Sequence, residues 1–310
     1  MAETKQAAYV FPGQGSQTVG MGKDLYDAFD SLKALFRQAD EAAGVAISRL
    51  CFEGPDEELR KTVNAQPALV TVSIACLRAA QEAADGKLPA PCCMAGHSLG
   101  EYTALAAAGV VDFGTAVHLS RERGRLMYEA GLKQPGAMAA VMGLDEAVLA
   151  EVCKQTSTVI ANVNCPGQLV ISGGTDNVAK ASEAAKAKGA ARVIPLAVSG
   201  AFHSPLMQPA VDGMTVALGK VSFKDPAVPI IGNVTAQPLT RGDQFRDELL
   251  QQLVKPVQWQ KTVEHILSTG QKSFIEIGPG KVLAGLIKRI TRDAEVFNIG
   301  DAAAVKALAG

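Results

Sequence analysis

Short apolar runs with the look of buried strands alternate along this chain with segments of helical period, and that alternation limits the folds open to it more than any other feature. Strand candidates fall at 7–11, 91–96, 228–231 and 273–277. Helix candidates fall at 23–42, 65–84, 98–108, from Asp112 to about 130, from Pro205 onward, and at 243–253, 257–268 and 281–291. Such alternation builds an α/β fold on a mainly parallel sheet. Between 134 and 197 the order changes to strand 137–142, helix 144–154, strand 158–163, strand 169–172, helix 177–188 and strand 192–196. That β-α-β-β-α-β succession is the ferredoxin-like unit. The expected architecture is one large hydrolase-like α/β body, 1–133 and 198–310, interrupted by a small ferredoxin-like domain, 134–197.

The 310 residues are enough for about two domains. Lys and Arg total 30 against 31 Asp and Glu, and aromatics are 5%. Neither the charge balance nor the aromatic content suits a dedicated nucleic-acid binder. No apolar run approaches the ~18–20 residues that span a bilayer. Residues 1–6 lack the basic and apolar regions of a secretory leader, so a cytoplasmic protein is expected. The six cysteines, Cys51, Cys76, Cys92, Cys93, Cys153 and Cys165, are scattered, with no C-x-x-C and no histidine at ligand spacing, so neither a metal site nor a disulfide framework is expected. Two glycine-rich stretches read as tight turns at strand ends. Gly13-Gln14-Gly15 lacks the third glycine of a dinucleotide fingerprint, and Gly278-Pro279-Gly280-Lys281 lacks the first glycine and final hydroxyl of a phosphate loop. No cofactor is expected.

Gly96-His97-Ser98-Leu99-Gly100 lies between an apolar strand candidate and an alanine-rich helix. G-x-S-x-G in that context is a nucleophile elbow: small flanking residues permit a turn tight enough to present the serine at a helix N-terminus, where exposed N–H groups favour developing negative charge. The same residues also fit an ordinary βα turn with a capping serine. A nucleophilic serine needs a base. His97 adjoins it and should point elsewhere, His118 and His265 sit within helices, and His203 lies in a Gly-containing loop ahead of a helix, so His203 is favoured. Arg123 occupies an apolar stripe with Ala116, Leu119, Leu126, Met127 and Ala130. An inward guanidinium needs a partner. Glu101 in a structural ion pair and a substrate carboxylate held in two parallel hydrogen bonds are the two readings.

Six segments occur in order: Phe11-Pro12-Gly13-Gln14-Gly15-Ser16-Gln17, Gly96-His97-Ser98-Leu99-Gly100-Glu101-Tyr102, Arg123-Gly124 with Met127, Gly200-Ala201-Phe202-His203-Ser204, Pro256-Val257-Gln258-Trp259, and Glu276-Ile277-Gly278-Pro279-Gly280. Together with Asn162-Val163-Asn164-Cys165-Pro166-Gly167-Gln168 they resemble the malonyl-CoA:acyl-carrier-protein transacylases of bacterial fatty-acid synthesis, over about residues 7–292. The resemblance implies Ser98 as nucleophile, His203 as base and Arg123 as the grip on the malonyl carboxylate. It implies Gln14 and the Leu99 N–H as the oxyanion hole, and a Gln258 backbone carbonyl orienting the histidine. His97, Met127 and Phe202 would line the pocket, Phe202 being the malonyl-type residue at its position. Malonyl-CoA and acyl carrier protein are the implied partners.

An acidic carrier protein could dock on Lys281, Lys288, Arg289 and Arg292, which fit equally well a solvated helix face. A monomer with no nucleic-acid or membrane partner is expected. The rival reading is an α/β-hydrolase esterase or thioesterase, which expects an acidic third member and a histidine late in the chain. Here 107 residues follow His203, and Arg123 has no task in a simple esterase.

Overall fold

The computed structural model describes residues 6–308. The expectation of no secretory leader rests on residues that lie, apart from Gln6, outside that range. Among the described residues ten strands follow one another: β1 Gln6–Phe11, β2 Ala90–Gly96, β3 Gly136–Met142, β4 Val159–Cys165, β5 Gln168–Gly174, β6 Arg192–Pro195, β7 Ile230–Ile231, β8 Pro238–Leu239, β9 Ser273–Ile277 and β10 Glu295–Ile299. They form two sheets. The larger has the order β10-β9-β1-β2-β7-β8 and is parallel except for the final β7–β8 pair.

Alternation along β1 shows why this sheet is covered on both faces. Ala7, Tyr9 and Phe11 join a core with the Thr62–Ala83 helix, whereas Ala8 and Val10 join a second core with Trp259, Val263, Leu283 and Ile287. Thr62–Ala83 is long and apolar enough to cross a membrane by length and composition, yet 89% of its most apolar window is buried inside the fold. Asp112 caps the Phe113–Lys133 helix by accepting from the Thr115 N–H at 2.8 Å, as the sequence indicates. The single helix expected over 23–42 is two, Lys23–Ala28 and Asp30–Ala43, separated by an extended Phe29.

The smaller sheet, β4-β5-β3-β6, is wholly antiparallel. With the Glu146–Thr156 and Thr175–Ala187 helices it gives the β-α-β-β-α-β order read from the sequence. Val141, Leu149, Val163, Ile171, Val178 and Ala181 form its own core. A backbone seam joins it to the larger body: Val163 N–H donates to Val257 O and Val257 N–H to Ala161 O, both at 2.9 Å. The cleft beyond the carboxyl end of β2 lies between the two units, where ligands of open parallel sheets bind.

Candidate active site

β2 ends at Gly96, and the Gly100–Ala107 helix begins four residues on. A Cβ on Gly96 would lie 1.9 Å from the Gly100 carbonyl carbon, and one on Gly100 would lie 2.2 Å from Phe11 O. Only glycine fits at either position, which is the steric content of the G-x-S-x-G pattern. Between them Ser98 sits in the left-handed region at φ 51°. Its Oγ is thereby presented to the cleft.

His203 is the histidine that reaches it, with Nε2 2.8 Å from Ser98 Oγ. The opposite ring nitrogen, Nδ1, is 2.7 Å from the backbone carbonyl of Gln252. A carbonyl only accepts, so Nδ1 carries the proton and Nε2 is free to take one from the serine. Burial is the main force pushing the His203 pKa down to about 3; the Arg123 charge adds to it and the Gln252 carbonyl opposes it. The base is therefore neutral and competent at neutral pH. Gln258 does not orient the histidine as the resemblance implies. Its backbone carbonyl instead accepts from Thr262 N–H at 2.9 Å, at the start of the Trp259–Ser268 helix. The correct carbonyl comes from the last residue of the Phe245–Gln252 helix.

Arg123 is 1% exposed and touches no carboxylate among the described residues. Its guanidinium donates to Gln66 Oε1 at 2.8 Å, to Gln252 Oε1 at 2.7 Å and to Ser98 Oγ at 3.2 Å, and stands 5.6 Å over the Tyr102 ring. The direct Glu101 pair does not form. Glu101 accepts instead from Gln252 Nε2, so one glutamine amide separates the buried cation from the buried carboxyl. Nε of Arg123 has no partner among the described residues. A desolvated cation held only by neutral groups retains an unmatched charge at the cavity wall, suited to an incoming anion.

A cavity of about 280 Å³ brings together Gln14, His97, Ser98, Leu99, Arg123, Met127, Phe202 and His203. Gln14 Oε1 accepts from Thr62 Oγ1 at 2.9 Å, and the Leu99 N–H has no protein acceptor among the described residues. His97 points away from the serine: Nε2 donates to Asn164 Oδ1 at 2.8 Å and the ring packs on Trp259. Gly15, Gln17 and Arg60 also line it, and Met138, Asn162 and 196–198 close it from the smaller unit and the segment that follows β6. Lys281, Lys288, Arg289 and Arg292 are exposed and outside this cavity; Lys288 donates to Ala294 O and Arg289 to Gln168 Oε1. Sequence reasoning missed Gln66, Asn233 and Gln252, which hold the site without belonging to any quoted segment, and it gave no role to Asn164, which lies within the quoted 162–168 segment.

A serine hydroxyl bonded to a neutral histidine, at a helix N-terminus and beside a buried cation, is equipped to take and pass on an acyl group. The chain belongs to the acyl transferase domain family, which matches residues 8–308. It is 46% identical over 299 residues to the malonyl CoA-acyl carrier protein transacylase of Bacillus subtilis, covering 95% of this chain and 93% of that protein. Over 289 residues it is 48% identical to the Escherichia coli K12 protein of the same name, covering 92% and 93%. A solved complex of a type II PKS acyl-carrier protein with its malonyl-transacylase superposes with a TM-score of 0.93 at 42% identity, covering 98% of each chain.

Proposed function

We propose that this protein transfers a malonyl group from malonyl-CoA to the phosphopantetheine thiol of acyl carrier protein, in a ping-pong reaction through a malonyl-Ser98 ester. His203 Nε2 takes the Ser98 proton as Oγ bonds to the thioester carbon. The oxyanion lies against the Leu99 N–H and Gln14. As the C–S bond breaks, His203 returns the proton to the coenzyme A thiolate. The carrier thiol then gives its proton to His203 and its sulfur bonds to the ester carbon; as the C–O bond to Ser98 breaks, His203 passes that proton to Oγ and the serine is regenerated. The Gln252 carbonyl holds the imidazole through both halves, while His97, Met127 and Phe202 shape the acyl pocket.

The observation that carries this reading is the position of Arg123, an unmatched buried cation 3.2 Å from the nucleophile. A malonyl carboxylate can satisfy it; an acetyl group would leave it bare. Boundaries at 134 and 197 for the inserted unit are supported by its separate core, and the β6-β3-β5-β4 order agrees with a ferredoxin-like topology. The remaining body reads as hydrolase-like. Lys281, Lys288, Arg289 and Arg292 form the proposed carrier-docking face of a cytoplasmic, monomeric enzyme.

Intact-protein mass spectrometry after brief mixing with malonyl-CoA tests the mechanism. The expected result is one malonyl group per chain, absent in Ser98→Ala and discharged by carrier protein. An adduct on a cysteine, or none on active protein, overturns it; discharge to water faster than to carrier protein favours a thioesterase.

A further inference from the structure

Asn233 is 1% exposed and lies in the turn between β7 and β8, remote in sequence from the nucleophile. Its side chain bridges the elbow. Oδ1 accepts from Ser98 N–H at 2.7 Å, and Nδ2 donates to Gly96 O at 2.7 Å. Those groups belong to the residues on either side of His97, so one amide ties together the two sides of the bend. Its backbone is equally committed: its N–H donates to Glu101 Oε1 at 3.1 Å, and its carbonyl accepts from Gln258 N–H at 2.8 Å. The other oxygen of Glu101 accepts from Gln252 Nε2, which also donates to Ser98 O at 2.9 Å. Both backbone polar groups of Ser98 are thus held by amide side chains, and both residues are anchored on one fully buried carboxyl, Gln252 by its side-chain amide and Asn233 by its backbone N–H.

A left-handed conformation is costly for a residue with a Cβ and persists only where its surroundings impose it. We propose that Asn233 is the positioning residue of the nucleophile, its amide clamping Gly96 O and Ser98 N so that Ser98 stays left-handed with Oγ directed at His203. This rests on the reading of Ser98 as the acylated residue. The clamp consumes the Ser98 N–H and leaves the neighbouring Leu99 N–H as the open donor at the helix start. It needs an acceptor and a donor in one short planar group, which asparagine supplies and serine or alanine cannot.

Asparagine-to-aspartate substitution separates positioning from bulk structure. A protonated aspartic acid can accept from Ser98 N–H and donate its O–H to Gly96 O, whereas the ionised form sets two oxygens against each other. Glu101 and Glu248 face this turn from the Gly100–Ala107 and Phe245–Gln252 helices, and His203 and Arg123 lie beyond Ser98 and Gln252. The two glutamates, with burial, favour the protonated form.

Single-turnover malonylation of Ser98 is measured from about pH 5.5 to about pH 9 for the unaltered protein, Asn233→Asp and Asn233→Ala. Asn233→Ala is expected to acylate about a hundredfold slower at every pH. Asn233→Asp should approach the unaltered rate at the acidic end and fall about a hundredfold as pH rises, an alkaline loss absent from the unaltered protein. Asn233→Asp with an unaltered profile, or with a loss independent of pH, overturns the clamp. If the unaltered protein forms no malonyl-serine, the underlying reading fails instead. Amide hydrogen exchange of the unaltered protein covers variants that do not fold: the Ser98 amide should exchange as slowly as the paired amides of β2, and rapid exchange there also overturns the clamp.

Discussion

The two walls of the cleft are built on opposite terms. On the body side, Asn233, Glu101, Gln252 and Arg123 are buried polar groups drawn from distant parts of the chain and tied to one another and to Ser98. On the other side stand Met138, Asn162 and 196–198, of which Leu196 and Val198 are half-buried and Ala197 is exposed. The first wall is over-determined, so that a one-atom change leaves a buried donor or acceptor unmatched. The second is largely apolar, and its Met138, Leu196 and Val198 pack on the core of the larger body. Reacting atoms sit on the wall of interlocked buried polar groups, and the apolar wall bounds the acyl pocket.

Arg123→Ala should break this contrast most severely. Malonyl loading is expected to fall by about a thousandfold or more, because the substrate carboxylate would be desolvated without its cation. Acetyl loading should persist or rise. Measured loading with both thioesters decides the matter, and equal loss of the two would make Arg123 a structural residue only.

The second wall should respond in stability instead. Ile171 is fully buried in the core of the smaller unit and lines no part of the cavity. Ile171→Ala should lower unfolding free energy by about 2–5 kcal/mol. Malonyl loading of the molecules still folded should change less than about twofold. Urea unfolding and loading assays on the same samples provide both numbers, and a collapse of loading without unfolding would mean that the two walls are mechanically one.

How much of this was legible in the sequence follows from the range over which each signal acts. The elbow was readable because its constraint is local: Gly96 and Gly100 are forced by the turn itself. Arg123 was readable from helical period, but its partners were not, since Gln66 and Gln252 are brought in by folding and carry no local signature. The orienting carbonyl is a backbone atom, which any residue could provide, and the family pattern placed it on Gln258 instead of Gln252. Asn233 had one faint signal, a polar residue beside Gly232 directly after a buried strand candidate. The order of elements in the smaller unit was readable because short apolar runs at 137–142, 158–163 and 169–172 stand apart from two helical stretches; the break at Phe29 was not, because no glycine or proline marks it.

Acid tests the body wall through His203. In the folded protein its pKa is about 3 and the ordinary value is 6.5, so below pH 6.5 the unfolded chain binds the proton that the folded one refuses. This contribution is fully present above 6.5 and is lost as pH falls toward 3. Burial shifts His97 the same way. Burial, aided by Glu248, raises Glu101 and works in the opposite sense. Comparing wild type with His203→Asn cancels the common groups. Thermal midpoints across about pH 5–8 should show the variant gaining on wild type as pH falls, and a constant difference would contradict the neutral buried base.

The smallest effect is expected at the seam where the walls meet. Asn164, on β4, accepts from His97 Nε2 and is the hydrogen bond by which the smaller unit holds a residue next to the nucleophile. Asn164→Ala removes that bond but leaves the His97 ring packed on Trp259. The loss should be about 1 kcal/mol in stability, with a change of only a few-fold in KM for malonyl-CoA and little in the rate of acylation. Steady-state and single-turnover kinetics distinguish the two. If acylation slowed as much as in Asn233→Ala, the rigid wall would extend across the seam, and His97 would have to be counted among the groups that hold Ser98 in place.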